Sequence, residues 1–305
     1  MTWGDGMVEW IEGNTAYISS VFSWNLDRAY MRCVYWKSAG YHVKAGGSTV
    51  TMNPDVFREF DLTGTVDALS HHNPDAVFTS RGCIRRCGFC MVPTLEGSIR
   101  ELDQWDDKPV ICDNNLLATS QDHFDRVIDR LLEAGLSGID FNQGLDARIL
   151  SDHHARQLSR LPKDTVIRLA WDAVKTEALY MGAVNRLVEA GIRRTQLRTF
   201  VLIGYKDTPE DALYRLEKLR SQKILANPMR YQPINTPRKN NYVGENWNNT
   251  LLNRFMRYWS NTRIFGKLSF NQYLKFEDSK RRIADPTQPE LRILDYANRA
   301  NERKY

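Results

Sequence analysis

Three cysteines, Cys83, Cys87 and Cys90, fall within eight residues of the chain in the spacing C-x3-C-x2-C. Three thiolates on one short loop can ligate three irons of a four-iron cluster and leave the fourth iron open, whereas ferredoxin-type clusters use four thiolates. An open coordination position is typical of a catalytic rather than a structural metal site. The sequence therefore predicts a catalytic iron–sulfur site on this loop.

The two other cysteines leave a zinc site as an alternative. A structural zinc ion takes four ligands, and Cys112 is the nearest candidate for the fourth, although no second C-x2-C pair accompanies it. Cys33 and Cys112 both lie in apolar contexts, which favour burial as small hydrophobic residues. Five cysteines, with three of them clustered, argue against a disulfide framework.

The cysteine segment resembles the radical S-adenosylmethionine superfamily. The resemblance is carried by Cys83, Cys87 and Cys90, with the aromatic Phe89 directly before the third cysteine. It implies a [4Fe–4S] cluster on the three thiolates, S-adenosylmethionine on the open iron and an electron donor such as a flavodoxin or ferredoxin. It also implies the reaction: one electron cleaves the sulfonium to methionine and a 5′-deoxyadenosyl radical, which abstracts hydrogen from a substrate.

The elements around this loop alternate between strands and helices. Each strand-to-strand crossover is long enough for a helix, which indicates parallel pairing and an α/β fold. The chain is expected to contain six strand–helix units. Six units are too few for a complete eight-fold barrel, but they match the partial (β/α)6 barrel, similar to a TIM barrel, that the resemblance implies. Such barrels gather their chemistry at the C-terminal ends of the strands. The strands are expected at residues 76–80, 110–112, 138–141, 165–170, 197–203 and 229–232.

The resemblance places cofactor-binding residues at these strand ends. After the second strand the family carries an acidic segment, often Gly-Gly-Glu, that holds the methionyl amino group. Here the segment reads Cys112-Asp113-Asn114-Asn115, so Asp113 and Asn114 are the candidates, with an ordinary turn as the alternative. Arg168 on the fourth strand suits the methionyl carboxylate, because a guanidinium binds a carboxylate with two hydrogen bonds; an ion pair at the barrel rim is the alternative.

The remaining cofactor candidates follow other strands. Asn142 and Gln143 come directly after the third strand, where their amides could bind ribose or substrate. Leu202 lies near the end of the fifth strand, in the segment 200–204, which resembles the family's adenine-packing segment, although a core strand predicts the same residues. Gln232, at the end of the sixth strand, suits an adenine contact. No protein side chain is assigned as a catalytic base, because the radical step does not require one.

The flanks divide the chain into three expected segments. Residues 1–73 resemble the truncated end of the Rossmann-like cobalamin-binding domain that precedes the barrel in one large subfamily. The D-x-H-x-x-G motif that supplies the cobalt ligand is absent, which argues against cobalamin. Residues 74–235 are the expected barrel. Residues 236–305 form the expected lid loop and helical extension, in which an amphipathic helix starts near Leu251.

Charge is distributed unevenly along the chain. Residues 1–150 carry 13 Lys/Arg and 21 Asp/Glu, whereas residues 151–305 carry 29 Lys/Arg and 16 Asp/Glu. A basic half rich in aromatic residues favours an anionic substrate such as a nucleotide or a nucleic-acid base. A peptide or small metabolite is the alternative substrate. A non-catalytic iron–sulfur sensor or binding protein is the alternative from another functional class. The apolar stretches are too short for a membrane span, and no secretory signal is visible, so the expected location is the cytoplasm.

Overall fold

The computed structural model of the chain describes residues 3–62 and 68–284. These residues form two compact units. The first contains the described residues up to Gln143 together with Gln232–Tyr242, and the second contains Gly144–Tyr231 and the described residues from Val243 onward. The domain boundaries expected after residues 73 and 235 stay predictions.

The first unit begins with a four-stranded sheet in the order β1-β2-β3-β4. The first two strands form an antiparallel hairpin, and the later pairs are parallel. Small and branched side chains of the central strands pack against one face of α1, which includes the buried Cys33. The elements are β1 (Met7–Glu12), β2 (Thr15–Ser20), α1 (Leu26–Ser38), β3 (His42–Gly46), α2 (Ser48–Met52) and β4 (Asp61–Leu62).

The rest of the first unit contains a small parallel sheet and a two-stranded ribbon. The parallel sheet has the order β5-β8-β9, and β6 pairs antiparallel with β7. Helix α5 is capped by the Ser120 side chain, which accepts from the His123 backbone N–H. The elements are α3 (Leu69–His72), β5 (Ala76–Val77), β6 (Ser80–Arg81), α4 (Val92–Leu95), β7 (Arg100–Glu101), β8 (Val110–Ile111), α5 (Gln121–Glu133) and β9 (Asp140–Phe141).

The second unit contains a longer parallel sheet, in the order β10-β11-β12, and a group of C-terminal helices. The sequence Thr208-Pro209 predicts the start of a helix, because threonine is a favoured cap and proline is favoured in the first turn. The Thr208 hydroxyl does cap α8, which begins at Pro209. The elements are α6 (Asp152–Ser159), β10 (Ile167–Ala170), α7 (Glu177–Glu189), β11 (Leu197–Ile203), α8 (Pro209–Ser221), β12 (Leu225–Arg230), α9 (Asn249–Trp259), α10 (Thr262–Phe265) and α11 (Phe270–Ala284).

The mixed α/β class is confirmed, and parallel strands occur near all six expected positions. In the described ranges the strands form four separate sheets and none closes into a barrel, so the partial barrel stays a prediction. The expected sixth strand was misplaced: β12 spans Leu225–Arg230 and leaves Gln232 beyond its end. Pro228 fits within it because β12 is an edge strand of its sheet, where a missing N–H is tolerated.

Candidate functional site

The three clustered cysteines lie on an irregular segment between β6 and α4. All five cysteines of the chain fall in its described part, and none forms a disulfide; the three on the loop are half-buried. Gly82 opens the loop with a φ of +78°, and a Cβ there would lie 2.1 Å from the carbonyl oxygen of Ser98. Only glycine fits this position, so the close approach of the chain to Ser98 fixes where the cysteine loop begins.

The sulfur of Cys83 is surrounded by hydrogen-bond donors. The backbone N–H of Arg85 donates to Sγ at 3.3 Å, and the side-chain amide of Asn115 donates at 3.4 Å. N–H donors that point at a cysteine sulfur stabilise the negative charge of a thiolate ligand. The surroundings of Cys83 therefore suit a metal-bound thiolate.

Glu96 connects the start of the cysteine loop to the segment after β8. Its Oε1 accepts from the Arg81 guanidinium at 2.7 Å, and its Oε2 accepts from the Gly82 N–H at 2.9 Å and the Asn114 side chain at 2.7 Å. Sequence reasoning missed Glu96. A single acid downstream of the cysteines has no spacing signature, and only the three donors around it reveal its role.

Asp113 is buried, with 4% of its surface exposed. Its carboxylate accepts from the Thr79 N–H at 2.6 Å, the Thr79 hydroxyl at 2.5 Å and the Ser80 hydroxyl at 2.7 Å. Burial raises the pKa of this carboxyl above its usual range, and the hydrogen bonds from Thr79 and Ser80 oppose that shift. Both oxygens are occupied within the protein, so Asp113 holds the strand that leads into the cysteine loop.

Cys112 and Cys33 differ from the loop cysteines, and both are buried as the sequence predicts. Cys112 packs against Ala76 and Val110, and burial raises the pKa of its thiol to about 12. Burial likewise raises the pKa of Cys33 to about 12. Because a metal ligand must be a thiolate, a thiol kept protonated by burial is poorly suited to zinc.

The donor set of the loop fits an iron–sulfur cluster: three accessible thiols on one segment, with N–H donors at the first. Within residues 3–62 and 68–284, however, no three His, Cys, Asp or Glu side chains are close enough to hold a metal ion. The thiols of Cys83, Cys87 and Cys90 would therefore have to converge on binding. A turn in which the Cys90 N–H donates to the Cys87 carbonyl at 2.9 Å already brings the backbone of the last two together.

The other predicted site residues are divided between the two units. Phe89 lies half-buried on the cysteine loop. Asn142 and Gln143 follow β9, and the Asn142 N–H donates to the Ile111 carbonyl at 2.9 Å, which extends the pairing of β8 with β9. The Gln232 side-chain oxygen accepts from the Asn240 N–H at 3.0 Å, and its Nε2 has no hydrogen-bond partner among the described residues.

The two candidates in the second unit lie on its sheet. Arg168 is on β10, with its guanidinium carbon 5.5 Å from the centre of the Phe200 ring. Leu202 is on β11, and its carbonyl accepts from the Arg215 guanidinium at 3.0 Å. Each is thus placed on a strand as expected, and their contacts with S-adenosylmethionine stay predictions.

Arg215 is a buried charge that the sequence did not reveal. Its side chain is 0% exposed and pairs with Asp207 at 2.6 Å, while Nη1 donates to the carbonyls of Trp171 and Leu202. Asp207 also accepts from the Gly204 N–H at 2.9 Å. Burial raises the pKa of Asp207, and the adjacent Arg215 opposes that shift. This network fixes the turn after β11.

No protein-family model matches the chain, and no curated protein matches it. The resemblance to the radical S-adenosylmethionine superfamily therefore depends on the residues of the cysteine loop and their surroundings. None of the helices in the described ranges has the length and apolar character that a membrane span requires.

Proposed function

We propose that the chain is a radical S-adenosylmethionine enzyme in which Cys83, Cys87 and Cys90 hold a [4Fe–4S] cluster. The supporting observation is the group of three half-buried thiols on one loop: none of them forms a disulfide, and the sulfur of Cys83 accepts two N–H groups. When bound, the cluster would supply the electron that cleaves S-adenosylmethionine to methionine and a 5′-deoxyadenosyl radical. A flavodoxin or ferredoxin is the proposed electron donor, and the cytoplasm, where thiols stay reduced, is the proposed location.

The protein side chains hold the loop in position for this chemistry. Arg85 and Asn115 donate to the Cys83 sulfur, and Glu96 fixes Gly82 at the start of the loop. Asp113 holds the preceding strand by accepting hydrogen bonds from the Thr79 amide and the Ser80 hydroxyl. These contacts restrict the first ligand before any metal binds, which lowers the entropic cost of assembling the site.

The proposal includes the partial (β/α)6 barrel, since the six parallel strands β5 and β8–β12 are the number that such a barrel uses. Cofactor binding at its strand ends is assigned to the predicted residues. Asn114 replaces Asp113 as the better candidate for the methionyl amino group, because the Asp113 oxygens are already occupied. The full proposed set is Phe89, Asn114, Asn142, Gln143, Arg168, Leu202 and Gln232.

The proposed substrate is a nucleotide or a nucleic-acid base, and it is favoured by the basic character of residues 151–305. A second function, an iron–sulfur sensor that binds a cluster without the radical reaction, is favoured by one observation. The acid at the expected amino-binding position, Asp113, is occupied by Thr79 and Ser80.

Anaerobic reconstitution with iron and sulfide tests the proposal. The purified chain is supplied with S-adenosylmethionine and dithionite, and bound iron and 5′-deoxyadenosine are measured. We expect about four irons per chain in the wild type, a figure set by the cluster type, and 5′-deoxyadenosine that is lost in Cys90→Ala. Cys112→Ala is the matched control, because it removes a buried thiol of the same unit, and it should retain both signals.

Three other results would contradict the proposal, each in a different way. A loaded cluster that binds S-adenosylmethionine without forming 5′-deoxyadenosine favours the sensor. Zinc uptake that requires both Cys90 and Cys112 favours the four-ligand structural site. Failure of the wild type to take up iron, with the fold intact by circular dichroism, removes the metal site altogether.

A further inference from the structure

A polar cavity of about 450 Å³ lies between α9 and α11 in the second unit. Three of its six lining side chains are cationic and one is acidic. No role in the proposed radical chemistry uses these residues. The lining consists of Thr250, Asn253, Arg254, Arg257, Glu277 and Lys280.

Arg254 is the unusual member of this lining. It is only 7% exposed, and its Nη2 donates to Asp278 at 2.6 Å. Its Nη1 is buried and has no hydrogen-bond partner among the described residues. Buried guanidinium donors are normally satisfied, so one that lies beside a cavity and has no partner calls for an acceptor that none of the described residues supplies.

Arg257 and Lys280 add two accessible cations to the same cavity. Arg257 is largely exposed and lies 3.3 Å from Glu277. Lys280 is exposed, and its ammonium lies 4.3 Å above the ring of Phe276. Glu277 and Asp278 offset part of the positive charge, but each engages one arginine and leaves further guanidinium donors. Converging arginine and lysine donors of this kind suit a phosphate group.

A second cavity, of about 520 Å³, shares Arg257, Glu277 and Lys280 with the first, and four apolar or aromatic residues and two further cations complete its lining. Phe276 is 49% exposed there, so part of its ring is open to a ligand. Aromatic rings beside a basic groove stack nucleic-acid bases, whatever the sequence. The added residues are Arg263, Ile264, Lys267, Leu268, Tyr273 and Phe276.

We propose that these two cavities form a binding site for a nucleotide unit, with the phosphate at Arg254, Arg257 and Lys280 and the base against Phe276. The phosphate belongs either to a mononucleotide or to the backbone of a single strand, since the recognised chemistry is the same. All the residues of this site belong to the second unit and none of them is a proposed ligand of the cluster, so its occupancy can be tested without the cluster or radical activity.

Fluorescence anisotropy with a labelled twelve-nucleotide oligothymidylate tests this site in the full chain without iron. We expect Arg257→Ala combined with Lys280→Ala to weaken binding by about tenfold or more, as loss of charge-assisted hydrogen bonds predicts. The salt dependence of binding should also become shallower, because fewer phosphate contacts remain. Lys175→Ala is the matched control, since it removes an exposed charge from the same unit, and it should bind as the wild type does.

Competition then identifies the source of the phosphate. Displacement of the oligonucleotide by thymidine monophosphate supports a mononucleotide site. Resistance to the monophosphate, with affinity that rises with oligonucleotide length, supports the strand. Phe276→Ala should weaken both probes but leave competition by inorganic phosphate unchanged. The proposal is overturned if the wild type binds neither probe, or if the double variant and Lys175→Ala bind equally well, with folding of all variants verified by thermal melting.

Discussion

The two parallel sheets follow the same strand–helix alternation but are held together by different means. In the first unit β5, β8 and β9 contain two residues each, whereas β11 in the second unit contains seven. Short strands form few backbone hydrogen bonds, so side chains such as Asp113 and Glu96 connect the segments around the cysteine loop. The sheet of the second unit is connected mainly by its backbone. The cysteine loop is therefore held by side-chain contacts, whereas the sheet of the second unit is held by paired strands.

In each unit, nevertheless, a largely buried carboxylate organises its surroundings. Asp207 is paired with the guanidinium of Arg215, whereas the carboxylate of Asp113 is satisfied by the hydroxyl and amide groups of Thr79 and Ser80. A buried ion pair loses more when one partner is removed than a neutral hydrogen-bond cluster does, because a full charge is left without compensation. The two sites should therefore respond differently to substitution.

The largest expected effect is that of Arg215→Met, which leaves the largely buried carboxylate of Asp207 without its countercharge. We expect it to lower the free energy of unfolding by about 3–5 kcal/mol. Urea unfolding followed by circular dichroism measures this change. The matched control is Arg186→Met, which breaks the exposed ion pair with Asp152 and should cost about 1 kcal/mol or less. Equal effects of the two substitutions would show that the Asp207–Arg215 pair does not organise the second unit.

The next effect is that of Asp113→Ala, which leaves the Thr79 amide and two hydroxyl groups without an acceptor. We expect a cost of about 2–3 kcal/mol, from unsatisfied buried donors. Asp113→Asn retains one oxygen and should cost less. Urea unfolding gives the free energy, and hydrogen exchange at the Thr79 amide shows where the loss occurs. Unchanged exchange at Thr79 would contradict the assigned hydrogen bond; the exposed Asp103→Ala is the control.

Sequence reasoning succeeds for the elements of both units that local patterns mark. Alternation of apolar and polar segments located all six parallel strands approximately, and Thr208 with Pro209 marked the start of α8 correctly. Apolar neighbours predicted the burial of Cys33 and Cys112. Each of these signals is local, because it depends on residues within one or two turns of the chain.

The contacts that build the candidate site are not local, and for that reason the sequence did not reveal them. Asp113 binds Thr79 from 34 positions away, and Arg215 reaches the carbonyl of Trp171 from 44 positions away. A hydropathy pattern predicts that an arginine lies on the surface, because the pattern contains no information about a carboxylate that is distant in sequence. β1 was missed because five of its six side chains are only partly buried or exposed and its residues show no regular alternation of apolar and polar side chains.

Glu96→Gln should have a smaller effect on global stability but a clear local one. Its ion pair with Arg81 is partly accessible, so we expect a cost of about 1 kcal/mol or less. The start of the cysteine loop should loosen, because Gly82 and Asn114 lose a charged acceptor. Alkylation with iodoacetamide at pH 8, mapped by mass spectrometry, should then become severalfold faster at Cys83. Cys33 and Cys112 are internal controls, since burial raises the pKa of each to about 12 and keeps them protonated. An unchanged rate at Cys83 would contradict the role of Glu96.

The smallest expected effect is a pH dependence of the free energy of unfolding that arises from His123 in the first unit. Arginine can only donate, so the contact of Arg126 Nη2 with His123 Nδ1 at 3.0 Å leaves the ring proton on Nε2. Nε2 then donates to the Thr79 hydroxyl at 3.3 Å, and that hydroxyl donates to Asp113. The neutral ring thus extends the network that holds the strand before the cysteine loop.

Protonation of His123 would disturb this arrangement, and the sign of the effect follows from its pKa. Burial lowers the pKa of His123 below its ordinary value of 6.5; the charge of Glu101 opposes this shift and that of Arg126 adds to it. The unfolded chain therefore binds the proton more readily, so stability is retained above pH 6.5 and is lost as the pH falls below it. The slope that one proton contributes cannot exceed about 1.4 kcal/mol per pH unit.

Urea unfolding between pH 5 and 7 should show this slope in the wild type and a shallower one in His123→Gln, with the exposed His71→Gln as control. The raised pKa of Asp113 changes the stability with pH in the opposite direction. Asp113 is present in all three proteins, so the difference between their slopes isolates the contribution of His123. Parallel curves would mean that the ring does not belong to the network.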